Sequence, residues 1–175
     1  KFLVSHILID RFFKKQNKNY IKIGKKTFNI KKELEKRYQG GIYSPEIVGY
    51  VIGEKIKELI NKYNLCFSGS PRMITEAKIA MKILKELNIN FLFIALHISE
   101  KEILKRAAKR KREKKYDYEI LKKRIESYKK YVWPTLNFLK KRGYLIQINS
   151  QGDVKKIHEN ILKKIKIFFN KNNKN

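Results

Sequence analysis

The stretch that most constrains the fold is a short apolar strand that runs into a glycine–proline turn, at residues 65–72. Its three apolar residues predict a short buried strand that stops at Gly69, and Pro71 then restricts the backbone. Residues 73–87 carry apolar side chains spaced for one face of a helix. A strand, a tight turn and a helix in this order mark the place where open α/β sheets bind ligands, outside the carboxyl ends of their strands.

Arg72 lies just past the carboxyl end of this strand. An arginine in that place can hold a phosphate group through two parallel hydrogen bonds, which a lysine cannot do. A surface arginine after an ordinary turn is the alternative, and this segment alone does not decide between the two.

The rest of the chain predicts strands that alternate with helices. Predicted strands lie at residues 2–4, 65–67, 91–98 and 144–148, and predicted helices at about 6–15, 27–38, 45–63, 73–87, 100–112, 117–141 and 154–169. This alternation predicts an α/β fold with a parallel, doubly wound sheet. The apolar run at 91–98 is typical of a strand buried on both faces of such a sheet.

Several residues are predicted to begin, interrupt or end these elements. Ser5 and Ser44 are placed to cap helices, with Pro45 at a first helical position. Pro134 removes a backbone donor and is expected to kink or split the helix at 117–141. Residues 16–23 are polar and are predicted to form a loop, and Gly143 is predicted to end a helix.

The length of 175 residues suits one α/β domain, predicted at 1–169, followed by a disordered tail of lysine and asparagine at 170–175. No run approaches the ~18 apolar residues of a transmembrane helix, so we expect no membrane partner. The single cysteine, Cys66, is predicted to be buried in its strand; it excludes an internal disulfide and fits a reducing cytoplasm. We expect a cytoplasmic monomer.

The net charge of +27 invites a nucleic-acid interpretation. The chain is also rich in asparagine, isoleucine, tyrosine and phenylalanine, which A/T-rich codons encode, and its lysines are spread over every predicted helix. Genome composition can produce this pattern without a polyanionic partner, so a nucleic-acid partner is possible but not favoured. Against a background dominated by lysine, each of the eight arginines carries more information than usual.

Two arginines, Arg106 and Arg110, lie one helical turn apart and project from one face. Two like charges at this spacing repel by a few tenths of a kcal/mol. A bound polyphosphate would offset that cost, but so would Glu102 and Glu113, so the pair alone decides nothing. Arg124 follows on the next helix, beyond a charged break, as in a helical lid that closes over a nucleotide.

At this point the chain resembles adenylate kinases and related nucleoside monophosphate kinases. The resemblance covers residues 2 to about 168, and the order and spacing of its motifs carry it. The matching stretches are Ser-Gly-Ser-Pro-Arg at 68–72 with Glu-Ala at 76–77, Val-Ser at 4–5 leading to Arg11, Gly-Ile-Tyr-Ser-Pro-Glu-Ile-Val at 41–48, Arg-Ala-Ala-Lys-Arg at 106–110, and Arg124 with Pro134 and Gly143 after it.

The resemblance implies the P-loop nucleoside monophosphate kinase fold, with helices on both faces of the sheet. It also implies reversible phosphoryl transfer from ATP, bound with Mg²⁺, to a nucleoside monophosphate, with AMP the favoured acceptor, in nucleotide biosynthesis. The acceptor-binding region would span about 5–63 and a short lid about 111–116. No side-chain metal site is expected, because His6, His97 and His158 are widely scattered.

The same resemblance implies roles for individual residues. Arg11 and Arg72 would hold the monophosphate, Arg106 would lie against the ATP base, and Arg110 and Arg124 would reach the transferring phosphoryl group. Catalytic roles therefore fall on Arg72, Arg110 and Arg124, ATP binding on Arg106 and Arg110, and acceptor binding on Ser5, Arg11, Ser44, Gly69, Arg72 and Glu76. Glu76 stands where these enzymes have a base-reading glutamine, and a carboxylate cannot donate to the adenine ring.

The chain also departs from the family pattern. The glycine-rich phosphate loop and its lysine would lie before Lys1, and Ser68 replaces an aspartate that orders the magnesium shell. The missing first strand is also the central one in that family. We therefore expect an N-terminally truncated form with low stability and no activity alone. The alternative is a degenerate relative that serves as a basic RNA- or protein-binding module.

Overall fold

A computed structural model describes residues 1–109 and 115–172. They belong to two compact units, Lys1–Asn90 with Lys115–Phe138, and Phe91–Lys114 with Leu139–Asn175. The elements in chain order are β1 (Phe2–Val4), α1 (Ser5–Lys14), β2 (Tyr20–Ile23), β3 (Lys26–Asn29), α2 (Ile30–Tyr38), α3 (Pro45–Leu59), β4 (Cys66–Ser68), α4 (Ile74–Glu86), β5 (Phe93–His97), α5 (Glu100–Lys109), α6 (Lys115–Ser127), a π-helical segment (Tyr128–Val132), α7 (Trp133–Lys141), β6 (Leu145–Asn149) and α8 (Val154–Asn172).

In the first unit, β1 and β4 form a parallel pair in which Val4 lies opposite Ser68. Because the strands are parallel, the residues that follow them, Ser5 and Gly69, meet at one edge. Cys66 is exposed, so the prediction of a buried cysteine in this strand is wrong. Within the described residues β4 pairs with β1 alone, so the pair is not part of a larger buried sheet there.

The capping role predicted for Ser5 is also wrong. The residue at the N-cap position is Val4, and no side chain caps α1. The Ser5 hydroxyl is buried and donates to the Ser68 carbonyl at 2.9 Å, so it ties the two parallel strands together instead.

The core of this unit is built on α3, whose apolar residues pack against α1 and α2. The predicted helix is confirmed, although it ends at Leu59 rather than at residue 63. Its N-cap residue is Ser44, as predicted, but the serine side chain makes no capping hydrogen bond. The buried cluster consists of Ile9, Phe13, Ile30, Tyr43, Ile47, Val48, Val51, Ile52 and Ile56.

Residues 20–29 form an antiparallel hairpin of β2 and β3, so the predicted loop and the start of the predicted helix are wrong there. The turn includes Gly24, whose φ of +58° suits glycine. Ile21 and Ile23 lie on the half-buried face and pack against the core, which explains why a polar segment is ordered. Helix α2 then begins at Ile30, capped by the Asn29 side chain, which accepts from the Lys32 backbone N–H at 3.0 Å.

The helix predicted at 117–141 is split, as expected, next to Pro134. A π-helical segment separates α6 from α7, and the backbone N–H of Trp133 donates to the carbonyl of Tyr128, five residues earlier. Since proline has no N–H, a local change in helix geometry at this point limits the number of unsatisfied carbonyls.

The second unit contains a parallel pair, β5 and β6, in which Ala95 lies opposite Gln147. Burial of β5 on both faces was predicted and is wrong. Ala95 is buried, but Ile94 and Leu96 on the other face are 38% and 52% exposed. Helix α7 ends before Gly143 (φ +76°), as predicted, and α8 extends to Asn172, two residues past the predicted start of the tail.

The architecture is therefore mixed α/β, with small parallel sheets and helices, as expected for a P-loop kinase fold. One continuous doubly wound sheet that lacks its first strand stays a prediction, as does the single domain at 1–169. Among the described residues, no helix is long and apolar enough to span a membrane.

Candidate functional site

The turn between β4 and α4 is held in place by a buried carboxylate. Glu76, in the first turn of α4, is only 3% exposed. Its Oε2 accepts from the backbone N–H of Arg72 at 2.7 Å and from the Ser70 hydroxyl at 3.1 Å. The turn at 69–72 is therefore fixed from the helix that follows it.

Arg72 is anchored at both its backbone and its side chain. Its Nε donates to the Gly69 carbonyl at 2.9 Å, so the guanidinium group is held beside the turn and its two terminal nitrogens are not used in this bond. Thr135 Oγ1 lies 3.2 Å from the Arg72 carbonyl and 2.8 Å from the Tyr131 carbonyl, and it can donate to one of them at a time. The fork of Arg72 is thus pre-positioned for an anion, which reduces the entropy lost on binding.

A small cavity lies in front of this turn, within the first unit. It holds about 20 Å³, which is room for about one water molecule in this conformation. The residues that line it come from α1, α2, α3, α4 and the loops that precede α3 and α4: Ser5, His6, Ile9, Arg37, Ile42, Tyr43, Val48, Gly69, Arg72 and Glu76. A larger ligand would have to displace side chains, and the long flexible ones are Arg37 and Arg72.

The surroundings of the cavity are strongly positive. Burial lowers the pKa of His6, and the nearby charges of Arg37, Arg72 and Arg124 lower it further, against the opposing effect of Asp10. His6 is therefore neutral at pH 7. Burial likewise lowers the pKa of Arg72, and Arg37 is the next largest cause. An arginine remains charged at any physiological pH.

Burial also raises the pKa of the Glu76 carboxyl above its ordinary value, although the backbone N–H of Arg72 and the Ser70 hydroxyl partly offset it. Tyr43 donates its hydroxyl to Asp10, and burial together with this bond raises the pKa of the tyrosine. Glu76, which lines the cavity, and Asp10, which bonds the lining residue Tyr43, thus each accept a hydrogen bond from the protein.

The structure brings together four of the acceptor-site residues predicted from the sequence: Ser5, Gly69, Arg72 and Glu76 all line this cavity. Arg124, on α6, is near enough to affect the pKa values of His6 and Arg72.

Two other predicted acceptor-site residues do not line the cavity. Arg11 is exposed in the last turn of α1. The Ser44 hydroxyl donates to Glu33 at 2.7 Å, and the Ser44 backbone N–H donates to the same carboxylate at 2.8 Å. Glu33 is buried, so this pair joins α2 to the start of α3 and has a structural role in the described conformation.

The residues predicted for ATP belong to other parts of the chain. In the second unit, Arg106 Nε donates to Glu102 at 2.9 Å, and its terminal nitrogen donates to the Ser150 carbonyl at 3.3 Å. Arg106 is thus tied to the loop after β6. Arg110 and residues 111–114 of the predicted lid lie outside the described residues.

Two further features complete the search for sites. Within the described ranges, no group of three or more histidine, cysteine, aspartate or glutamate side chains could hold a metal ion. A larger open cleft, of about 520 Å³, lies between α2 and α6 and is lined mainly by polar side chains, among them Lys32, Lys36, Lys123 and Lys130.

The sequence analysis missed Arg37 and Tyr43 as members of the cavity. Tyr43 lies within a matched stretch but was given no role. Arg37 matches none of the family motifs, so only the scarcity of arginine in a lysine-rich chain could have drawn attention to it.

Comparison with known proteins gives one consistent result. The adenylate kinase of Leptospira biflexa is 30% identical over 138 residues, which cover 76% of this chain and 74% of that enzyme. That of Azobacteroides pseudotrichonymphae is 27% identical over 135 residues, 75% of this chain and 71% of the relative. That of Bacteroides fragilis is 25% identical over 169 residues, 94% of this chain and 86% of the relative. No protein-family model matches the chain.

Proposed function

Because the chain belongs to the adenylate kinase family, we propose that it takes part in reversible transfer of a phosphoryl group from ATP to a nucleoside monophosphate, with AMP the favoured acceptor. The observation that carries the proposal is the cavity beside the β4–α4 turn. There the Gly69 carbonyl holds the Arg72 side chain and Glu76 holds its backbone, next to Ser5 and in a positive field. Such a site favours a phosphate group held in one orientation.

In this proposal Arg72 holds the acceptor phosphate, and Arg124 approaches the group in transfer. Phosphoryl transfer needs no covalent protein nucleophile; it needs two phosphates in line, neutralised charge and excluded water. Arg11, which is exposed, and Ser44, which bonds Glu33, would reach the acceptor only after a change of conformation. Arg106 and Arg110 would contact ATP, with Arg106 first leaving Glu102.

The Mg²⁺ ion would enter with ATP and supply charge neutralisation at its phosphates. A metal held by the nucleotide fits the donor set, because the described residues offer no group of carboxylates, histidines or cysteines for one. The contribution of this chain is then to bind and orient the nucleotides.

Glu76 bears on the choice of acceptor base. Its carboxylate can accept from the adenine amino group, and only its protonated form can also donate to a ring nitrogen. Since burial raises the pKa of Glu76, acidic conditions favour the form that does both. We therefore expect AMP to bind more tightly to Glu76→Gln than to the wild type at pH 8, because the amide both accepts and donates.

The test is formation of ADP from ATP and each common nucleoside monophosphate, followed in a coupled assay. The 175 residues contain no Gly-x-x-x-x-Gly-Lys stretch, so we expect little transfer by these residues alone, and the assay is run in parallel on the complete product of the gene. Arg72→Lys is expected to raise KM for the acceptor by roughly tenfold or more.

Failure of the complete gene product to form ADP with any acceptor would refute the proposal. If the same protein bound RNA with a steep dependence on salt, the basic binding module would be the better account.

A further inference from the structure

Arg37 is the second arginine of the cavity, and no family motif includes it. It lies in the last turn of α2, is half-buried and lines the cavity together with Arg72. Within the described residues, it forms no ion pair. A half-buried guanidinium group without a carboxylate partner is costly unless something else supplies negative charge.

The nearby carboxylates do not supply that charge directly to Arg37. Glu33, one turn earlier on α2, accepts from the backbone N–H and the hydroxyl of Ser44. Glu76 accepts from the backbone of Arg72 and from the Ser70 hydroxyl. Asp10 accepts from Tyr43. Each acid therefore already serves as a structural acceptor.

The positive charges, in contrast, reinforce one another. The charges of Arg37 and Arg124 are close enough to lower the pKa of Arg72, after burial, which is the largest cause. All three arginines also lower the pKa of His6, again after burial. Like charges gathered around one small hollow repel unless an anion lies between them. The arrangement is thus stabilised by an anion of at least one full charge, bound where the guanidinium groups converge.

We propose that Arg37 binds the phosphate of the acceptor nucleotide together with Arg72. This inference rests on the proposed function and deepens it, because it adds Arg37 to the phosphate contacts that the family resemblance places on Arg11 and Arg72. Arg11 is exposed and does not line the cavity, whereas Arg37 does. A phosphate that enters would separate the two arginine side chains and accept from both, so the small free volume does not oppose binding.

The experiment is calorimetric titration of the 175-residue chain with AMP and with adenosine. Arg37→Leu is expected to weaken AMP binding by roughly 10- to 100-fold, the loss of a charge-assisted hydrogen-bonded pair. Binding of adenosine, which has no phosphate, should change by less than about twofold. The AMP affinity of Arg37→Lys should lie between those of the wild type and Arg37→Leu, because lysine keeps the positive charge but cannot donate two parallel hydrogen bonds.

Two control variants sharpen the result. Lys31→Leu removes one positive charge from the same helix at an exposed position outside the cavity, so it should leave AMP affinity close to the wild-type value. Arg11→Leu tests the alternative assignment. Thermal melting of each variant shows whether it is folded, and Arg37→Lys provides a second variant in case Arg37→Leu does not fold.

The inference is overturned if the wild type does not bind AMP, or if Arg37→Leu binds AMP as tightly as the wild type does. It is also overturned if Arg37→Leu weakens the binding of adenosine as much as the binding of AMP, or if Arg11→Leu weakens AMP binding and Arg37→Leu does not. Its failure is distinguishable from failure of the proposed function. AMP binding that depends on Arg37, without any phosphoryl transfer by the complete gene product, would keep this inference and refute the proposed reaction. If the complete gene product transfers the phosphoryl group and Arg37→Leu does not change KM for the acceptor, the proposed reaction stands and this inference is refuted.

Discussion

Alanine substitutions at two glycines of α3 should differ in their effect on stability, although both glycines face α4. A Cβ added at Gly49 would lie 2.8 Å from Ile79 Cδ1, 2.9 Å from its Cγ2 and 3.3 Å from its Cβ. A Cβ added at Gly53 would lie 2.7 Å from Ile83 Cδ1. Apart from its chain neighbours and the backbone of its own helix, it would have no other atom of the described residues within 4 Å. The first contact involves the branched, stiff part of a side chain, and the second only its flexible end.

The magnitude follows from two opposing effects. Replacing glycine by alanine within a helix gains about 0.8–1.0 kcal/mol of helix propensity. At Gly49, Ile79 cannot rotate its Cγ2 away without leaving its rotamer, so α4 must shift, and overpacking of this kind costs about 1–3 kcal/mol. At Gly53, rotation about χ2 of Ile83 relieves the contact for about 0.5–1.5 kcal/mol.

We therefore expect Gly49→Ala to destabilise the protein by up to about 2 kcal/mol and Gly53→Ala to be close to neutral. For a protein of this size, each kcal/mol corresponds to about 2–4 °C in Tm. The assay is unfolding by heat and by urea, followed by circular dichroism. If the two variants have the same Tm, or if the Tm of Gly53→Ala is lower than that of Gly49→Ala, this account of the α3–α4 contact is refuted.

Two further predictions concern the carboxylates near the cavity. Burial raises the pKa of Glu76 in the folded state, so its neutral form favours folding, and that contribution is lost as the pH rises through the folded-state pKa. Glu76→Gln should therefore gain Tm relative to the wild type as the pH rises from about 4, where the carboxyl of the unfolded chain titrates, and a difference that stays constant with pH would contradict the argument. Glu33→Ala should lower the free energy of unfolding by about 1–3 kcal/mol, more than Ser44→Ala, because it leaves two donors of Ser44 without their acceptor; urea unfolding of both variants measures the difference.

The proposed phosphate site combines local features that are unrelated in sequence. A parallel strand pair brings Ser5 next to Gly69, and a helix-borne carboxylate at Glu76 fixes the backbone of Arg72. Arg37 reaches the same place from α2, a helix with its own cap and its own contacts to the core. The cavity is therefore a product of how these elements pack, and each element on its own is ordinary.

Sequence alone was enough for the elements whose signals are local. The helices α1, α3, α4 and α8 follow from apolar residues spaced at the helical period, and Pro134 and Gly143 mark a break and an end because their backbone chemistry allows little else. The motifs around 68–77 and 4–11 also identified Ser5, Gly69, Arg72 and Glu76, and they pointed to the family that the comparisons support.

Tertiary structure decided what depends on partners distant in sequence. Whether residues 20–29 form a hairpin depends on the hydrophobic core that Ile21 and Ile23 can reach, and whether a strand such as β5 is covered depends on which elements pack against it. Ser5 and Ser44 are residues of the type that caps helices, but their hydroxyl groups do not cap. The Ser5 hydroxyl donates to the Ser68 carbonyl and the Ser44 hydroxyl donates to Glu33. The charge of Arg37 is visible in the sequence, but its place beside Arg72 is not, because electrostatic interactions depend on distances that only the folded chain sets.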